Sequence, residues 1–170
     1  MKAMTRVQLD TVLAVARKHS EDDYLALLIG FNHGLRVSEI VALCPENIVN
    51  GYLVVQRLKR SKRTVQPLLP NERDAVMAKV AKGGLFFPMC RKTLWMHMKA
   101  YCKEAGVPFG RDFVTPHSLK HTTGRLGFKG GMTIPEVGAR LGHKNLGNSL
   151  IYMQATEEEA SMAFANAVGQ

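Results

Sequence analysis

The sequence predicts a mixed α+β domain, mostly α-helical, with one small antiparallel β-sheet. Three observations lead there. Helical spacing of apolar residues recurs along most of the chain, the tract GYLVVQRLKRSKRTVQPLLP switches to strand alternation around a basic tip, and 170 residues with 46% apolar content suit a single core. No internal repeat or low-complexity linker divides the chain.

Thr5-x-x-Gln8 reads as a capping box that opens a helix to about Lys18, with Val7, Leu9, Val12, Leu13, Val15 and Ala16 as its apolar positions. Ser20 caps a second helix, about Asp22 to His33, which is apolar on nearly all sides (Tyr24, Leu25, Leu27, Leu28, Ile29, Phe31) and so central to the core; Gly34 ends it. A short helix from about Val37 to Leu43 stops at Pro45. Val54, Val55 and Leu58 before the basic tip, and Thr64, Val65 and Leu68 after it, form a β-hairpin. Pro70 and Asn71 start a helix to about Val80, Gly83-Gly84 breaks it, and Leu85-Phe86-Phe87 is expected as a short strand. Cys90 to Ala105 has helical spacing and ends at Gly106. Pro116 opens a helix to about Phe128, Thr133 to Leu141 and Asn145 to about Met153 are two more, and Thr156-x-x-Glu159 caps a last one.

The balance of 23 Lys+Arg against 14 Asp+Glu gives a net charge of +9, and residues 1–152, which exclude the acidic run Glu157-Glu158-Glu159, carry +12. An excess of this size points to a polyanionic partner, with nucleic acid leading. Cys44, Cys90 and Cys102 form no C-x-x-C pair, which excludes a disulfide scaffold and zinc-finger patterns and fits a reducing compartment. No apolar run approaches the roughly 18–20 residues of a membrane span, and the opening MKAMTRVQLD lacks a signal-peptide core, so a soluble, cytoplasmic protein is expected.

Five segments hold polar residues whose type and order carry chemistry. In Gly34-Leu35-Arg36-Val37-Ser38-Glu39 an arginine stands at a helix mouth; alone it reads first as a junction residue neutralised by Glu39. The hairpin tip Arg57-Leu58-Lys59-Arg60-Ser61-Lys62-Arg63 has five basic residues in seven. Such a tip is either a solvated turn or a set of cations that reach a phosphate. Pro116-His117-Ser118-Leu119-Lys120-His121-Thr122 puts His117 beside Lys120 and His121 on one helix face. Zinc ligation by the two histidines is poorly supported, since Ser118 stands where H-E-x-x-H needs glutamate. Leu141-Gly142-His143 follows, and Tyr152 lies nine residues after that histidine.

Together, the order G-L-R-x-S-E, a basic hairpin, H-x-L-K-H-T, L-G-H and then I-Y resembles the catalytic domain of the tyrosine recombinases, the phage-integrase family that includes the Xer recombinases. The resemblance runs from about Thr5 to the tail. It implies the tyrosine recombinase catalytic-domain fold, with Arg36 as first catalytic arginine, Lys59 as hairpin lysine (Lys62 as the alternative), His117 and His143 as the two histidines and Tyr152 as nucleophile. Glu39 and His121 are supporting residues, and Arg57, Arg60, Lys62, Arg63 and Lys144 are DNA-binding candidates. The departure is Lys120, which stands where the family has its second catalytic arginine. Lysine keeps the charge and loses the planar fork; at roughly 1.5–3 kcal/mol per hydrogen bond to a charged group, that slows cleavage by about 10- to 150-fold unless another cation such as Lys144 compensates.

The resemblance further implies site-specific DNA recombination by a phage or mobile-element integrase, through strand cleavage and rejoining by a 3′-phosphotyrosyl intermediate, with no metal or cofactor. Residues 1–170 are expected to form one catalytic domain lacking the N-terminal core-binding domain, with a tail helix over 156–170 that either docks on a neighbouring protomer or folds back on its own domain. The expected partners are duplex DNA and, on paired DNA sites, three further copies in a tetramer, in a bacterial or phage-infected cell. The alternatives are a degenerate, non-catalytic DNA-binding relative and a type IB topoisomerase-like nicking-closing enzyme.

Overall fold

The computed structural model describes residues 2–58, 61–153 and 165. Lys59, Arg60 and the tail expected to be helical from Thr156, apart from Ala165, lie outside the described residues.

The capping box forms as read: the Thr5 hydroxyl accepts from the Gln8 N–H at 3.2 Å and Gln8 Oε1 accepts from the Thr5 N–H at 3.0 Å, opening α1 (Arg6–His19). Its buried stripe of Leu9, Val12, Leu13 and Ala16 packs on α2 (Glu21–Asn32), capped by the Ser20 hydroxyl. Residues 25–30 of α2 are all buried, so this helix runs through the centre of the core, as its all-round apolarity predicts. A fully buried side chain such as Leu27 contributes roughly 1.5–3 kcal/mol.

After α2 the chain turns into α3 (Val37–Ile40), shorter than the helix to Leu43 that was expected, because Pro45 already opens a 3₁₀ turn at Pro45–Asn47. The sheet is antiparallel in the order β1 (Ile48–Val49), β2 (Tyr52–Val55), β3 (Thr64–Pro67), with Leu53 opposite Gln66 and Val55 opposite Thr64. Its first strand, two residues long, is too short to leave a periodic signal. The hairpin strand ends at Val55 rather than Leu58, since Arg57 turns inward and Leu58 is exposed.

Two helices, α4 (Pro70–Lys82) and α5 (Arg91–Glu104), close the main core from the other side. The expected strand at Leu85–Phe87 is absent. Phe86 and Phe87 are both fully buried, and consecutive residues of a strand point to opposite faces. The segment is instead a loop tied down by the Phe86 N–H on the Leu43 carbonyl at 2.8 Å. A smaller layer follows: α6 (His117–Lys129), α7 (Ile134–Leu141) and a 3₁₀ helix over Leu146–Met153, where an α-helix from Asn145 was expected. Val137, Leu141 and Tyr152 form its core, and α6 packs on α2 while α7 packs on β3. Among the described residues no helix is long and apolar enough to cross a membrane.

Candidate active site

A cleft of about 540 Å³ opens where the two layers meet, lined by Arg36, Ser61, His117, Lys120, His121, His143, Lys144 and Tyr152 among others. Residues from all five motif segments therefore line one cavity or lie directly behind its wall. Their sequence separations are bridged by α2 and α6 packing side by side and by the hairpin leaning on the end of α7.

Arg36 is the N-cap residue of α3, and Glu39 holds it from behind. The Glu39 carboxylate accepts from the Arg36 backbone N–H (2.8 Å), Arg36 NH1 (3.1 Å), Arg57 NH1 (2.9 Å) and the Leu58 N–H (3.0 Å). Burial pushes its carboxyl up, and these backbone donors with the Arg57 charge outweigh that, leaving it below the usual range. Arg36 also reaches the hairpin, with NH1 on the Leu58 carbonyl (3.1 Å) and NH2 on the Ser61 hydroxyl (3.3 Å).

Arg57 corrects the reading of the tip. Its side chain is fully buried, so it is no DNA-binding cation: it donates to Glu39, to Thr64 Oγ1 (2.9 Å) and to the carbonyls of Gly34 (3.1 Å), His33 (2.6 Å) and Arg140 (3.1 Å). Five basic residues in a row of seven gave no hint of which one turned in. Lys62 and Arg63 are exposed, and the Lys62 N–H donates to the Gly142 carbonyl at 2.9 Å, seating the tip against the cleft.

One turn of α6 supplies three cleft residues. The rings of His117 and His121 lie 5.8 Å apart, and Lys120, 5% exposed, donates from Nζ to the Leu141 carbonyl at 2.6 Å. Burial, with Arg36 and Arg57 nearby, lowers Lys120 to about 7. His121 is also held low, first by burial and then by His117 and Lys120.

Gly142 ends α7 in the left-handed region at φ 69°, where glycine carries no steric cost, and a Cβ there would lie 2.9 Å from the Lys62 carbonyl. His143 follows, its Nδ1 2.8 Å from the buried Ser149 hydroxyl. Burial, then the Lys120 and Arg36 charges, lower it to about 4, so the ring is neutral near pH 7. Lys144 is exposed at the rim.

Tyr152 is 9% exposed, and its hydroxyl lies 3.4 Å from His121 Nδ1. Burial raises the phenol to about 12, so it enters any reaction protonated and needs an acceptor as it attacks; the neutral His121 ring is the acceptor in reach. The ring sits on Gly124, where a Cβ would come within 2.5 Å of Tyr152 Cζ. Sequence reasoning missed Ser149, Ser61 and Gly124. Gly124 alone left a signal, three residues past His121 on the same face of α6.

Chemically, the cleft offers a phenol, neutral imidazoles and two or three cations in a partly desolvated cavity. That set suits an anionic centre attacked by an oxygen nucleophile. Among the described residues no group of three or more His, Cys, Asp or Glu side chains could hold a metal ion.

Comparison with known proteins covers nearly the whole chain. The profile of the phage integrase family matches residues 2–159. The chain is 29% identical over 181 residues to tyrosine recombinase XerA of Pyrococcus furiosus, across 98% of this chain and 62% of that protein. The fold superposes on a crystal structure of XerA recombinase with a TM-score of 0.78 at 16% identity, covering 98% of this chain and 65% of the other. It superposes on the catalytic domain of bacteriophage HP1 integrase with a TM-score of 0.76 at 18% identity, covering 96% and 95%. The chain thus spans about three-fifths of the length of XerA.

Proposed function

The chain belongs to the phage integrase family, and from that premise we propose that it performs site-specific recombination by cleaving and rejoining duplex DNA through a 3′-phosphotyrosyl intermediate on Tyr152. The observation that carries the reading is the convergence of Arg36, His117, Lys120, His143 and Tyr152 on one cleft. Structures similar in fold include a lambda integrase dimer bound to a core site and an XerH post-cleavage complex with its DNA substrate. The net charge of +9 and the exposed Lys62, Arg63 and Lys144 suit the same partner, with paired sites bridged by a tetramer in the cytoplasm of a bacterial or phage-infected cell.

In the proposed reaction Tyr152 Oη attacks the phosphorus and passes its proton to His121. Arg36 and Lys120 bind the non-bridging oxygens, and His117 and neutral His143 hydrogen-bond the phosphate. The bond from phosphorus to the 5′ oxygen breaks, and that oxygen takes a proton from the hairpin lysine, Lys59 or Lys62. A 5′ hydroxyl from the second duplex reverses the steps and frees Tyr152. Glu39 and Arg57 keep Arg36 and the hairpin in place.

Incubation with two differently labelled duplexes carrying the same site tests the proposal. Recombinant strands joined across the two labels are the expected product. A covalent adduct without exchange would indicate a nicking-closing enzyme, and neither product would indicate a non-catalytic DNA binder.

A further inference from the structure

Behind the cleft runs a buried polar chain that the chemistry above leaves without a role. Glu72, in the first turn of α4, is 1% exposed; its carboxylate accepts from the Leu69 N–H (2.9 Å), Asn32 Nδ2 (2.8 Å) and His33 Nε2 (2.6 Å). Burial pushes its carboxyl up, and the bonds from His33, Leu69 and Asn32 bring it below the usual range. His33, fully buried, has its other ring nitrogen, Nδ1, 2.9 Å from Gln66 Oε1. The ring is thus held between the Gln66 amide and the Glu72 carboxylate. With Oε1 taken by His33, the Gln66 amide aims Nε2 at the Arg140 carbonyl, 2.7 Å away.

Arg140 is the penultimate residue of α7, so its carbonyl is one of those a helix end leaves unbonded. Arg57 donates to the same oxygen, and the Arg140 guanidinium donates back to the Asn32 carbonyl from Nε (3.1 Å) and NH2 (2.5 Å). Gly142 and His143 follow at once, with the His143 N–H on the Gly138 carbonyl at 2.8 Å. Any movement of the α7 end therefore carries His143 with it. An apolar side chain at position 66 would fill the volume without the cost of desolvating an amide. It would lack the N–H that Gln66 gives to α7.

We infer that Gln66, oriented by His33 and Glu72, is a positioning residue for His143: it fixes the end of α7 through the Arg140 carbonyl and thereby the imidazole in the cleft. Its bearing on cleavage rests on the function proposed above; its bearing on the place of His143 does not.

The test follows the His143 imidazole by NMR titration, alongside single-turnover cleavage, in three variants. Gln66→Met keeps the length and loses both bonds, and Gln66→Glu keeps the acceptor for His33 but has no N–H for Arg140. In both, the His143 resonances shift, its midpoint rises from about 4 toward the ordinary 6.5, and cleavage falls about tenfold with DNA affinity unchanged. Val12→Ala, buried in distant α1, costs stability and leaves the His143 signals in place. Unmoved His143 signals in the two Gln66 variants, or equal movement in Val12→Ala, overturn the inference. Should the parent chain not cleave DNA at all, the proposed function falls, and the His143 titration still decides whether Gln66 positions it.

Discussion

Lys120 Nζ donates to the Leu141 carbonyl at 2.6 Å, tying the first turn of α6 to the last residue of α7. One side chain thus faces the cleft as a cation and completes the unbonded end of a helix. Where relatives are expected to carry an arginine, a guanidinium could serve both sides with separate N–H groups; an ammonium divides three donors among them.

That double duty makes pH the first test. Lys120 titrates at about 7 in the folded protein against an ordinary 10.5, so between these values the folded state binds fewer protons than the unfolded chain. Stability therefore rises with pH over this window, while the cation offered to phosphate fades. From pH 7 to 9, below the ordinary Cys102 value, urea midpoints should rise as single-turnover cleavage at subsaturating DNA falls. Lys120→Arg should remove the fall and raise the rate by about tenfold, and Lys120→Ala should be slower than either. The same falling limb in Lys120→Arg would assign it to another group.

Gly124→Ala addresses the nucleophile. The new methyl would overlap the Tyr152 ring, which must leave its place on α6. The phenol, held at about 12 by burial, should then titrate closer to 10 in ultraviolet difference spectra referenced to Tyr152→Phe. Cleavage should fall at least tenfold, a barrier change of about 1.4 kcal/mol, with DNA binding intact. An unshifted phenol would mean that the ring does not depend on the glycine.

Most of the fold was legible because its helices are capped and periodic: Thr5 with Gln8, Ser20, and the all-round apolar α2 each declare themselves locally. Phe86-Phe87 misled because two adjacent apolar residues look alike whether they lie in a strand or plug a core from a loop. The cleft residues Arg36, His117, Lys120, His143 and Tyr152 were legible as an ordered set, since their chemical types are rare in combination. Arg57 was not, because inward and outward arginines on a basic tip differ only in the acceptors folding brings to them, here Glu39 and three carbonyls. Gln66 and Ser149 act through backbone carbonyls and a ring nitrogen from distant segments, and no local pattern encodes such partners.

Arg57→Ala should destabilise the domain by about 3–5 kcal/mol in urea unfolding, since it removes a buried guanidinium that bonds the Glu39 carboxylate, Thr64 and three backbone carbonyls at once. Arg63→Ala, at an exposed position, should leave stability unchanged and lower the salt slope of DNA binding by about 1. A parent-like urea midpoint for Arg57→Ala would contradict the structural role assigned to it.

The central claim is that Tyr152 becomes covalently joined to DNA. The direct measurement is peptide mass spectrometry of the protein trapped on a duplex whose nick lets the short 5′-hydroxyl fragment diffuse away after cleavage. The account predicts a nucleotide-modified peptide containing Tyr152, lost in Tyr152→Phe while DNA affinity stays at the parent value. DNA attached at another residue, or an undiminished adduct from Tyr152→Phe, would contradict it.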